Sequence, residues 1–126
     1  MQQLQRLPDV YAVCRLAPND GIPFWCVQSR SLLSITRTPD ELSVVCPADL
    51  VPAAIRAERG FCAWRVAGTL DFSLTGVAAA LTTPLAEAGI SVFVIATFDT
   101  DYLLVRETHR ERAEALLARS GFSFLG

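Results

Sequence analysis

The chain has 126 residues, 52% of them hydrophobic and 19% charged, with a formal charge of -2, which suits one compact domain or two very small ones and carries no compositional signature of disorder. All eleven basic residues are arginine, and the sequence pI near 5.3 leaves no electrostatic footprint for nucleic acid. No apolar run approaches the roughly 18 residues of a membrane span, and "MQQLQRLPDV" lacks the basic and apolar regions of a signal peptide, so a cytoplasmic protein is expected.

The first predicted strand is "YAVCRLAP", from Tyr11. Pro23-Phe24-Trp25 can start one helical turn. Leu32 to Thr36 then reads as a strand that leads through Pro39-Asp40-Glu41 into a second strand, Leu42 to Val45. Pro47 to Leu50 offers another short turn of helix. "FCAWRVAG" follows as a strand with Phe61, Ala63 and Arg65 on one face and Cys62, Trp64 and Val66 on the other.

Asp71 to Gly76 lead from that strand into a helix, with Ser73 as the expected N-cap. Val77, Leu81, Leu85 and Ala88 fall on one helical stripe. Pro84 interrupts it at a cost of about 3 kcal/mol, which predicts a kink or packing strong enough to hold the helix together. "ISVFVIATFDTDYLLV", Ile90 to Val105, reads as a hairpin whose connection carries an aromatic ring and two carboxylates. Thr108 to Glu111 form a capping-box pattern ahead of a helix with Ala113, Leu116 and Leu117 on one face. Gly121 is placed to end that helix, and Phe122 to Leu125 form a short final strand.

Sliding the chain along itself by sixty residues lays "SLLSITRTPDELSVVCP" over "SVFVIATFDTDYLLVRE", each a strand, a polar turn and a strand. "ERGF" ending at Phe61 and "RSGF" ending at Phe122 extend the match. The second half has the order β-α-β-β-α-β, in which helices cover one face of an antiparallel sheet; the first half has the same strands and weaker helices. The predicted fold is therefore α+β, a tandem of ferredoxin-like βαββαβ units. The expected halves are residues 1–60 and 61–126, with strand 61–67 shared. At this offset Pro39 stands opposite Asp99 and Glu41 opposite Asp101, so the fold does not require an acid at position 99.

Cys14, Cys26, Cys46 and Cys62 are scattered among apolar strand residues without CxxC spacing, which predicts buried reduced thiols rather than a metal site or disulfides. No nucleophile elbow, metal-binding helix or phosphate loop is present, and the single histidine, His109, reads as an exposed residue at a helix start. No catalytic residue, metal or cofactor is expected. Two loops at one end of the second unit can form a binding site instead. Free N–H groups near Ser73 suit a carboxylate, and Gly76 admits close approach to the backbone. Asp99 and Asp101 suit an ammonium or guanidinium group, with Phe98 over its alkyl stem. Together they suit a zwitterion. Ordinary helix capping and the turn preference of aspartate account for the same residues without a ligand.

The tandem plan, "DFSLTGV", "RTPDELSVVCP", "ERGFCAWRVAG" and above all "PLAEAGISVFVIATFDTDYLLV" resemble ACT domains, in particular bacterial stand-alone proteins related to the CASTOR arginine sensors. The resemblance covers nearly the whole chain. It implies an amino acid held by Phe72, Ser73, Leu74, Thr75 and Gly76 and by Thr97, Phe98, Asp99, Thr100 and Asp101. Asp99 and Thr100 stand where the animal sensors differ, so it does not specify arginine. It further implies regulation of another protein in trans and, with the sheet edges, a homodimer. The alternative is an interaction or oligomerisation module of the same fold without a ligand.

Overall fold

The computed structural model describes residues 2–67 and 76–125. Among these the order is β1 (Gln3–Arg6), β2 (Tyr11–Leu16), β3 (Ser34–Arg37), β4 (Leu42–Pro47), β5 (Ala57–Val66), α1 (Val77–Glu87), β6 (Phe93–Ala96), β7 (Asp101–Arg106), α2 (Arg110–Arg119) and β8 (Ser123–Leu125). The chain forms two compact units. Unit 1 comprises Met1–Leu7 and Cys62–Gly126, and unit 2 comprises Pro8–Phe61.

Unit 2 has the strand order β3-β4-β2-β5. Alternation along β2 and β4 sends Ala12, Cys14, Leu42, Val44 and Cys46 to one face, where Cys26 and Val51 complete a core. Single 3-10 turns, Cys26–Gln28 and Ala48–Leu50, stand where a full βαββαβ unit has helices. These are the weak helices expected of the first half. Tyr11 pairs with Phe61 but Val13 with Glu58, so β5 carries one extra residue. Gly60, at φ 85°, supplies the left-handed backbone of that bulge.

Unit 1 has the order β6-β7-β5-β1-β8. Without β1 this is the predicted β-α-β-β-α-β plan. β1, to which the sequence pattern assigned no strand, lies between the first and last strands of that plan. It runs antiparallel to β5, with Leu4 opposite Val66, and parallel to β8, with Leu4 opposite Phe124. Leu4 is fully buried. In "QLQR" one apolar residue sets no period, so nothing local marks a strand whose two partners are both distant in sequence.

Trp64, Cys62 and Val66 of β5 form the core of unit 1 with Leu103 and Val105 of β7, Leu81 and Leu85 of α1, and Ala113 and Leu117 of α2. α1 runs unbroken through Pro84, whose neighbours Leu81 and Leu85 are fully buried. Packing therefore offsets the lost hydrogen bond. Both helices end in the same way. Gly89 (φ 76°) and Gly121 (φ 104°) turn the chain so that the Ile90 N–H donates to Leu85 O at 2.9 Å and the Phe122 N–H to Leu117 O at 3.0 Å.

The predicted capping box does not form. Residues Glu107–His109 make a 3-10 turn, α2 begins at Arg110, and its N-cap residue His109 makes no side-chain cap bond. Acidic partners hold this end instead. The Arg110 guanidinium lies 3.6 Å from Glu107 Oε2 and 3.7 Å from Glu114 Oε1. Glu114 Oε2 also accepts the indole N–H of Trp64 at 3.0 Å.

All four cysteines are buried and free, as expected from their surroundings. The Cys14 and Cys46 thiols share a hydrogen bond that lowers the pKa of Cys14 and raises that of Cys46. Burial, reinforced by Glu107, pushes the Cys62 thiol up to about 12 from 9.0. Its Sγ donates to Val105 O at 3.3 Å. A raised folded-state pKa favours the protonated form in the native state. Its stabilising contribution is full below the unfolded value of 9.0 and disappears as pH rises towards 12. Urea midpoints at about pH 8 and about pH 10.5 should show this fall, and Cys62→Ser should reduce it.

Candidate functional site

The hairpin between β6 and β7 closes on its own threonines. Thr97 N–H donates to Thr100 O at 2.9 Å, and Thr97 Oγ1 donates to the same carbonyl at 2.7 Å while accepting the Thr100 N–H at 3.2 Å. The Thr100 side chain turns inward. It is 3% exposed, and its hydroxyl donates to Val66 O at 2.8 Å. Val66 ends β5, so this bond fixes the hairpin beside the point where the chain leaves that strand for α1.

Inward placement of Thr100 leaves its neighbours outside. Phe98 is 78% exposed and Asp99 is exposed; Asp101 opens β7 opposite Ala96 and is half-buried. Thr97, Phe98, Asp99 and Asp101 thus share one turn, with Thr100 as its anchor. Gly76 occupies the N-cap position of α1 at φ 82° and has no side chain to cap the helix. A Cβ there would meet open space, but the left-handed backbone favours glycine. Phe72, Ser73, Leu74 and Thr75 lie outside the described residues, and with them the expected cap at Ser73.

Unit 2 makes the same turn. Thr38 N–H donates to Glu41 O at 2.9 Å, and Thr38 Oγ1 accepts the Glu41 N–H at 3.1 Å. Arg37 opposes Leu42 as Ala96 opposes Asp101. The repeat offset in the hairpins is therefore 59, from Thr38 to Thr97, and not sixty. A one-residue slip escapes notice in the sequence because Val44-Val45 and Leu103-Leu104-Val105 are continuous apolar runs without alternation. The correction reverses the contrast between the two acids. Asp99 now matches Asp40, an acid in the same turn, whereas Asp101 replaces Leu42, which is fully buried. The signal for the true register was present in the shared threonine that begins each turn.

The anchors of the two hairpins differ. Unit 2 has no counterpart of the buried Thr100 hydroxyl. There the Arg15 guanidinium donates to Asp40 O at 3.0 Å and Arg37 donates to Pro18 O. Among the described residues no three His, Cys, Asp or Glu side chains gather as a metal site, and no helix is long and apolar enough to cross a membrane.

A family model described as an ACT domain matches residues 56–119, and a model of an N-terminal domain matches residues 9–54. No curated protein matches the chain. A crystal structure of an Agrobacterium tumefaciens protein is similar at 39% identity and a TM-score of 0.93, over 98% of this chain and 92% of that one. A Vibrio cholerae protein of unknown function is similar at 23% identity and a TM-score of 0.74, over 94% and 89%. The ligand-free regulatory subunit of aspartate kinase from Thermus thermophilus has the same fold at 9% identity and a TM-score of 0.63, over 90% and 93%.

Proposed function

The chain belongs to the ACT domain family, and on that premise we propose that it binds a free amino acid and acts in trans as a sensor or regulatory subunit. One observation carries the reading: a carboxylate at position 101 where the repeated hairpin has buried Leu42. Turn formation needs an acid at neither place, since the threonine of each turn supplies its bonds. Asp101 and Asp99 take the ligand's ammonium group by charge-assisted hydrogen bonds, and the exposed ring of Phe98 covers its side chain. The ligand carboxylate meets backbone N–H groups of the loop Phe72 to Gly76, where glycine permits close approach. Thr97 and Thr100 hold the turn in shape.

A ligand can regulate only by preferring one state of the protein or of its complex. Sheet edges suit side-by-side pairing of two copies, and a homodimer is part of the proposal. Isothermal titration with the proteinogenic amino acids should identify at least one that binds, and Asp101→Asn should weaken it about tenfold or more, as loss of a hydrogen bond to a charged group does. Absence of heat with every amino acid would favour the second reading, an interaction module. Ile22, Phe24 and Val27 of unit 2, exposed within one short uncharged segment, are the observation on its side.

A further inference from the structure

Alternation along β2 leaves Val13 and Arg15 on the face of unit 2 opposite its core. Arg15 stands across from Ser43 of β4, and on its other side its N–H donates to Arg56 O at 2.9 Å. Arg56, the residue before β5, therefore lies beside Arg15 of β2, an arrangement in which like charges repel. Among the described residues neither forms an ion pair with an acid: Arg15 donates to a backbone carbonyl, Asp40 O at 3.0 Å, and Arg56 and Glu41 have no side-chain partner. Beside them lies a cavity of about 190 Å³ bordered by Val13, Arg15, Glu41, Ser43, Arg56 and Glu58.

We propose that this cavity is a second small-molecule site, for a free α-amino acid with a short side chain. Guanidinium groups present paired donors that match a carboxylate, and a carboxylate between Arg15 and Arg56 would relieve their repulsion. Glu41 faces the ammonium group, the Ser43 hydroxyl offers a further hydrogen bond, and Val13 forms an apolar floor. The volume of about 190 Å³ suits a small ligand such as a short-chain amino acid. Unit 2 thereby meets the anionic end of its ligand with side chains, whereas the hairpin of unit 1 presents carboxylates. The site does not depend on that hairpin.

The test is a series of amide NMR titrations of the full chain with glycine, alanine, serine and valine, and with propionate and ethylamine as fragments lacking one charge. Shifts are expected at Val13 to Arg15, Glu41 to Ser43 and Ala57 to Glu58 with an amino acid, weaker ones with propionate and none with ethylamine. Arg56→Gln, which removes no internal bond, should lower affinity about tenfold or more, while Asp101→Asn leaves these shifts unchanged. Unmoved amides in this region with all four amino acids, or wild-type affinity in Arg56→Gln, would overturn the proposal. Shifts confined to Thr97 to Asp101 would also overturn it and leave the reading of unit 1 standing.

Discussion

Trp64→Ala is expected to cost unit 1 about 3–5 kcal/mol, the range for removing a large aromatic side chain from a packed core. Trp64 is completely buried among Leu81, Leu85, Leu103 and Leu117, so no rearrangement of surface groups can fill the void. The same change removes the donor to Glu114 and leaves that carboxylate with Arg110 alone. Total stabilities of small domains are about 5–15 kcal/mol, so the loss takes a large share of the whole. Urea denaturation followed by circular dichroism should show it as a lowered midpoint. Trp64→Phe, which keeps most of the ring volume, should lose much less; equal losses in the two variants would mean that the indole hydrogen bond and not packing dominates.

Thr100→Val should cost about 1–3 kcal/mol and weaken ligand binding at the hairpin, although the two side chains have nearly the same shape. The substitution removes the O–H donor that the Val66 carbonyl accepts in a buried place. Closure of the turn by Thr97 is untouched, so the hairpin should remain a hairpin but lose its fixed position against β5. Hydrogen exchange at the Thr97 and Thr100 amides would report that loosening, and Thr100→Ser should restore most of the wild-type behaviour. Unaltered stability together with unaltered binding in Thr100→Val would show that the hydroxyl does not position the loop.

Periodicity made the helices and hairpins legible, because their signals lie within a few residues of one another. Leu81 and Leu85 mark α1, Ala113 and Leu117 mark α2, and Gly121 closes the second helix. What escaped depends on distant or competing partners. β1 is recognisable only once β5 and β8 are placed around it. The capping box at Thr108 was a sound local motif, yet the chain there forms a 3-10 turn and Arg110 bridges two glutamates. At the candidate site, the identity of the turn was visible in the sequence, but the inward role of Thr100 was not, since its partner is a backbone carbonyl of another strand. The true register matters most for function, because it moves the unusual acid from Asp99 to Asp101.

The position of β1 has a consequence for how the protein is made. Unit 2 is one continuous stretch, so all its residues are available once Phe61 has emerged from the ribosome. Unit 1 is not. β1 is synthesised before unit 2, yet Gln3 pairs with Ser123, far along the chain. Such a parallel, long-range contact carries a large loop-closure cost and forms slowly. A nascent chain can pair β1 with β5 but leaves the other edge of β1 open until β8 emerges, and the order of synthesis favours completion of unit 2 before the sheet of unit 1 is sealed.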